Sequence, residues 1–422
     1  MVDVVEVRMW GKQVGAVAFD PSADCYAFGY AKGWKRENVE ISPLQMPYRE
    51  QPYVFPALGR DTYRGLPGLL ADALPDAWGN ALVDAYLQHK GRRKEDISVL
   101  DRLSYMGKRG LGALEFRPAT GAPVATEEVI EMQSMVELAR LAVRGDLSDE
   151  RVAGAELARI INVGTSAGGA RAKAVVAWND VTQEMRSGQF DVPPGFDHWL
   201  LKFDGMGKDR ELGGTEHYGR IEYAYYLMAT NAGISMSPSR LLEENGRAHF
   251  MTRRFDREKG LKHHVQTLCG LDHLDFKQKA VHAYEQAFQV VARLNLGPDA
   301  VDELFRRMAF NVMARNCDDH TKNLAFMLKQ GHAWELAPAY DVIFAHSPTG
   351  EWTAQHQMSV NGRFDAIRRE DLLVVAERFG VRRPEELLLR VRSAVEAFGI
   401  FATQAGLPSK VVRALKPEFQ LL

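Results

Sequence analysis

Residues 316–326 read NCDDHTKNLAF. From Asp318 to Asn323 the chain packs two carboxylates, an imidazole, an ammonium and a carboxamide, and then turns abruptly apolar. The run before it is amphipathic. Val301, Leu304, Phe305, Met308 and Val312 repeat at helical spacing, so a helix delivers the polar cluster at its C-terminal end. After it, Leu324, Phe326 and Leu328 alternate as a strand, KQGH turns the chain, and AWELAPAYD leads back to Asp341. A short hairpin returns its two ends to one edge, which places Asp341 near the polar loop.

Asp318, Asn323 and Asp341 then form a set suited to phosphoryl transfer. One carboxylate accepts the proton of an attacking hydroxyl, a carboxamide and a second carboxylate hold magnesium, and a nearby lysine offsets phosphate charge. Asp318 and Asn323 have the five-residue spacing of the protein-kinase pattern, and Asp341 takes the third place beyond a hairpin. The flanks differ from that pattern, with Cys317 and Asp319 in place of HRD and YDV in place of DFG. The plainer reading of DDHTKN is a solvated loop with cap residues, Asp319 especially, because Asp and Asn are common in loops. A metal-hydrolase set of Asp318, Asp319 and His320 ranks below both. Adjacent ligands rarely share one metal, and the other histidines, His263 and His264 included, show no HExxH spacing.

Further toward the N-terminus, GTSAGGARAK (164–173) fits neither GxGxxG nor GxxxxGKS, and taken singly it is a plain turn. Its position before the β-branched run VVAW lets Gly164, Gly168 and Gly169 offer backbone N–H groups to a phosphate, with Arg171 and Lys173 adding positive charge. In HWLLKFDG, Lys202 sits inside an apolar strand. It reads either as a snorkelling lysine or as one that pairs with nucleotide phosphates, with Glu222 or Glu216 as carboxylate partner.

The 422 residues are 46% hydrophobic and 26% charged, enough for two or three domains each with a core. Lys and Arg total 53 against 55 Asp and Glu, so no whole-chain field draws nucleic acid or an anionic membrane to the protein. Cys25, Cys269 and Cys317 are widely spaced and form no CxxC pair, which fits a reducing compartment. No basic-then-apolar leader opens MVDVVEVRMWGK and no stretch approaches eighteen apolar residues, so the expectation is a cytoplasmic protein without a membrane partner. VEVRMWGKQVGAVAF reads as a β-hairpin, GLGALEFRP as a strand closing the first module, and GMGKDRELGGT (205–215) as the most loop-like interior stretch. The expected division is an α/β module over 1–122, a mixed lobe over 123–255 and a helical lobe over 256–422.

In its order of motifs the sequence resembles the HipA family of bacterial serine/threonine kinases, toxin halves of toxin–antitoxin pairs. GLPGLLADALPD and GLGALEF look like the family's N-terminal module, TSAGGARAK its glycine-rich loop, and LLKFDG its lysine strand. RRFDR looks like its hinge segment, DDHTKN its catalytic loop, and LAPAYDVI its metal-binding segment. The resemblance implies an α+β, two-lobed protein-kinase-like fold with an N-terminal α/β module and a mostly helical C-terminal lobe. It implies ATP and Mg2+ as cofactors, Asp318 as catalytic base, Asn323 and Asp341 as magnesium ligands, and Lys202 on ATP phosphate. Gly168, Gly169, Ala170, Arg171 and Lys173 would lie over the phosphates, and Arg253, Arg254 and Phe255 near the adenine; some members carry Glu where this chain has Arg253. It further implies inhibitory autophosphorylation at Ser166, a HipB-like helix-turn-helix antitoxin through which DNA is reached indirectly, and a protein substrate such as an aminoacyl-tRNA synthetase. Two other readings stay open at this level: a small-molecule phosphotransferase, and a non-catalytic co-repressor that binds an antitoxin.

Overall fold

The computed structural model describes residues 2–121, 129–131, 135, 136, 139, 172–205, 208, 209, 213, 214 and 216–422. Ser166, Gly168, Gly169, Ala170 and Arg171 lie outside the described residues. The chain divides into two compact units. One comprises Met1–Gly207, Met251–Gln266 and Leu328–His332, and the other Lys208–Phe250, Thr267–Met327 and Ala333–Leu422.

The first unit opens on the expected hairpin. Strand β1 (Val4–Met9) pairs antiparallel with β2 (Lys12–Asp20), Met9 opposite Lys12. Trp10 and Gly11 form the connection, both at positive φ (50° and 77°), the two-residue turn whose twist matches that of the strands it joins. Val5, Val7 and Met9 are fully buried, as a period of two predicts for a sheet with one covered face. Strands β3 (Cys25–Tyr30) and β4 (Leu114–Arg117) complete the sheet in the order β3-β2-β1-β4. Helices α1 (Ala77–His89) and α2 (Val99–Met106) lie between β3 and β4 in sequence. Ser98 and Asp101 close α2's first turn as a capping box, each satisfying the other's backbone N–H.

Within the same unit, β5 (Lys173–Trp178) runs antiparallel to both β6 (Met185–Ser187) and β7 (Asp197–Lys202). All six residues of β5 are buried, so the VVAW run is a strand covered on both faces. Cross-strand register sets Lys173 opposite Lys202, and directly opposed residues of an antiparallel pair project to one face of the sheet.

Helices dominate the second unit: α3 (Tyr218–Asn231), α4 (Tyr284–Arg293), α5 (Pro298–Met313), α6 (Arg369–Phe379), α7 (Pro384–Glu396) and α8 (Phe398–Gln404). Pro298 opens α5, where its missing N–H costs nothing, and Leu304, Phe305, Met308 and Val312 line its buried stripe. Strand β8 (Ala325–Leu328) follows the polar loop, and β9 (Trp334–Leu336) leads back toward Asp341. β8 is buried at every position rather than on alternate ones, so the Leu324-Phe326-Leu328 alternation understates how deeply it is covered. The 205–215 stretch, expected as loop, contains two short strands, Lys208–Asp209 and Gly213–Gly214, paired antiparallel. Among the described residues no helix is long and apolar enough to cross a membrane.

Candidate active site

The segment after α5 is held residue by residue. Tyr225 on α3 donates its hydroxyl to Ala314 O (2.5 Å), and Arg315 turns the chain at a φ of 56°. Cys317 N donates to Ala345 O at 3.0 Å. Next comes a single 3-10 turn, Thr321–Asn323, with Asn323 N on His320 O at 2.8 Å. The Asn323 side chain folds back so that Nδ2 donates to Asp318 O at 2.7 Å, which leaves Oδ1 as its acceptor. Thr321 Oγ1 donates to Leu274 O (2.6 Å), and Tyr340 donates its hydroxyl to Lys322 O (2.6 Å).

These contacts bring the predicted triad into one neighbourhood. Asn323 touches Asp318 directly, and the Tyr340 bond ties the returning chain to the loop one residue before Asp341. Asp341 takes a left-handed φ of 53°, a conformation that Asp adopts more readily than most residues. The Asp318 side chain is 45% exposed and stands 3.7 Å from His320 Nε2. Its carboxylate is thus presented at the surface of this unit while its backbone is fixed. Asn323 Oδ1 and the Asp341 carboxylate are hard oxygen donors of the kind magnesium takes alongside water and phosphate, so the residues present fit that ion.

Asp319 is the residue for which the plainer sequence reading fails. Expected as a solvated loop position, it is fully buried. Its Oδ2 accepts from the Tyr284 hydroxyl (2.8 Å) and from His356 Nδ1 (2.9 Å), and its Oδ1 from Gln357 N (2.8 Å). A buried carboxylate survives only when paired and hydrogen-bonded in this way. Burial alone would push the His356 pKa down, but the Asp319 charge beside it more than reverses this and holds the imidazole protonated. Burial, reinforced by the same charge, raises the Tyr284 pKa well above that of a free phenol. Asp319 is therefore buried on partners of its own, while Asp318 is half-exposed beside His320. Among the described residues no three His, Cys, Asp or Glu side chains converge as a metal site.

Sequence reasoning missed Tyr284 and His356, which stand 35 and 37 residues from Asp319 and carry no motif of their own. They meet because His282–Ala283 pairs in parallel with Met358–Ser359, which sets the start of α4 beside the 356–357 segment. A cavity of about 30 Å³ adjoins this network, lined by Asn311, Asn316, Asp319, His320, Asn323 and Tyr340 among others. It has room for an ordered water.

In the first unit the candidate nucleotide residues have defined partners. Lys173 is almost fully buried, and its ammonium lies 2.7 Å from Asp76 Oδ2, while Trp78 Nε1 donates to Lys173 O at 3.0 Å. Asp76 uses its other oxygen to cap α1, accepting from Gly79 N at 2.6 Å. Lys202, directly opposite Lys173 in register, is half-buried. Arg253 pairs with Asp197 at 2.6 Å on the β7 side, and Phe255 is half-buried.

Arg254 makes a two-pronged bond to buried Asp256 (2.9 and 2.6 Å), and Arg257 adds a second guanidinium at 2.7 Å. Both arginines also reach Gly110 O, and Gly112 N donates to Asp256. Burial by itself would raise the Asp256 pKa, but the two guanidinium charges and these hydrogen bonds hold it far below the usual carboxylate range. Burial in the same cluster lowers the Arg257 pKa to about 10.

The model of the HipA-like C-terminal domain matches residues 165–398, and that of the HipA N-terminal domain matches residues 5–117. The first alone spans more than half of the chain. The protein belongs to the HipA family. Among solved structures it is similar to HipA of Shewanella oneidensis MR-1, seen in a complex with HipB and its operator DNA. The TM-score is 0.63 at 16% identity, covering 96% of this chain and 91% of that one. The likeness bears out the α+β, HipA-type fold with its N-terminal module. A Helicobacter pylori proinflammatory kinase, CtkA, gives a TM-score of 0.36 at 11% identity over 55% of this chain and 82% of that one, too low to bear on the fold. No curated protein matches the sequence.

Proposed function

We propose that this HipA-family chain is an ATP- and Mg2+-dependent serine/threonine protein kinase. The observation that carries the reading is the loop closure in which Asn323 Nδ2 grips Asp318 O while the Asp318 side chain stays half-exposed. In this reading Asp318 accepts the proton of the substrate hydroxyl as that oxygen attacks the γ-phosphoryl group, the step for which a catalytic-loop carboxylate is needed. Asn323 Oδ1 and Asp341 hold magnesium, which, when bound, screens the phosphate charge. Lys202 takes the phosphate contact that the family resemblance assigns to it, and Ser166 is the site of inhibitory self-phosphorylation. A phosphate there adds about −1.5 to −2 charges beside groups meant for nucleotide phosphates.

The same reading makes the chain the toxin of a toxin–antitoxin pair in the cytoplasm. Its partner is a HipB-like helix-turn-helix protein that carries the DNA contact, and its target is a translation component such as an aminoacyl-tRNA synthetase. In support, the Shewanella relative was solved with HipB and operator DNA, and a net charge of −2 suits a protein that reaches DNA through a partner.

The test is intact mass and phosphopeptide mapping after incubation with ATP and Mg2+, in parallel with Asp318→Asn. The expected result is one added phosphate on the GTSAGGARAK peptide, absent from the variant. Equal phosphorylation of both proteins would remove Asp318 from the role of base, and no phosphorylation or nucleotide binding by the parent chain would overturn the kinase reading.

A further inference from the structure

We propose that His356 is a positioning residue that grips the chain on both sides of Asp318. The inference rests on the reading of Asp318 as the base. One imidazole touches both neighbours of that residue: Nδ1 lies 2.9 Å from Asp319 Oδ2, and Nε2 lies 3.9 Å from Cys317 Sγ. Cys317, Asp319 and His356 are all buried. With both ring nitrogens carrying protons, His356 donates toward Asp319 and toward the sulfur at once.

A second path of hydrogen bonds closes round the same peptide units. Asn316 Nδ2 donates to Asn311 Oδ1 (3.0 Å), Asn311 Nδ2 donates to the Tyr284 hydroxyl (2.9 Å), and Tyr284 donates to Asp319. Residues 316, 317 and 319 are thereby each held by a side-chain contact to α4, α5 or the 356–357 segment. Asp318, the one between them with a half-exposed side chain, inherits their placement. A base must sit within hydrogen-bond reach of its proton, and a displacement near 1 Å costs on the order of 10²-fold in rate.

The test follows incorporation of labelled phosphate from ATP into the full chain, with ATP affinity measured by direct binding, for the parent, His356→Ala and His356→Asn. The Asn amide replaces the Nδ1 donor toward Asp319 without the charge. The expected result is a rate about 10²-fold lower for His356→Ala, at an ATP affinity within about twofold of the parent, and recovery of about tenfold in His356→Asn. Tyr284→Phe deletes one hydroxyl without opening a cavity. It should slow transfer by about tenfold at unchanged ATP affinity, and it carries the test should His356→Ala fail to fold. Transfer by His356→Ala within about threefold of the parent, or no gain in His356→Asn, would overturn the positioning role while leaving the kinase reading intact. A parent chain that incorporates no phosphate would overturn both.

Discussion

Replacing Asp76 by Asn isolates the charge of one buried pair. Asp76 divides its carboxylate between two tasks, Oδ1 capping α1 at Gly79 N and Oδ2 facing the Lys173 ammonium at 2.7 Å, with side-chain exposures of 8% and 3%. The Asn side chain still offers an oxygen to the cap, so the cap contribution of about 1 kcal/mol survives. The ion pair does not. Removing one member of a buried pair costs about 3–5 kcal/mol, because the remaining charge stays desolvated. At the lower bound, for a unit of this size, the midpoint of thermal unfolding should fall by roughly 6–12 °C. Asp76→Ala should fall further by about the cap energy.

The assay is calorimetric or circular-dichroism melting without nucleotide, so that ligand binding to the folded state does not mask the loss. Adding Lys173→Met to Asp76→Asn removes the other charge of the pair and should recover much of the stability, since apolar replacements of buried charges are often neutral. An Asp76→Asn protein within about 1 kcal/mol of the parent, or a double variant no more stable than Asp76→Asn alone, would refute the argument.

Acid should destabilise the fold in a defined window. Burial lowers the His264 pKa to about 4 against its usual value, with Nε2 on Ile41 O at 2.8 Å, and burial also lowers His198 to about 4. Below about pH 6.5 the unfolded chain takes up a proton that the folded chain refuses, so stability falls as pH drops from about 6.5 toward 4. At pH 5 His264 accounts for about 2 kcal/mol of that loss. Urea midpoints at pH 7 and pH 5 should therefore separate less in His264→Gln than in the parent, and equal separation would refute the assignment. Asn323→Ala should raise the Mg2+ concentration needed for half-maximal transfer and cost about 1 kcal/mol of stability through the lost bond to Asp318 O. A magnesium titration that overlays the parent's would remove Asn323 from the ligand set. Asp318→Asn should melt within about 1 kcal/mol of the parent, because a half-exposed side chain has little burial to lose.

Short-range features were legible before any coordinates. The β1–β2 hairpin follows from the Val5-Val7-Met9 alternation and the glycine at position 11 near which the chain turns. Helix α5 follows from its apolar spacing, and the five-residue spacing of Asp318 and Asn323 marks them as a pair, although the bond between them depends on the turn at Thr321–Asn323. Period and turn chemistry act between residues a few positions apart, so they are written in the local string of letters. What surrounds a charge is not written there. A solvated Asp and a fully buried one are the same letter, and the sequence does not tell which Asp319 is, because its partners arrive from α4 and from the 356–357 segment. Lys173, read as a cation over nucleotide phosphates, has an ion-pair partner, Asp76, that lies 97 residues away at the start of α1. Arg254, read as an adenine-side contact, has its guanidinium on Asp256 and reaches Gly110, 144 residues upstream. Tertiary packing decided these cases, because burying a charge is tolerable only where the fold brings an opposite charge and enough hydrogen bonds to replace the water it loses.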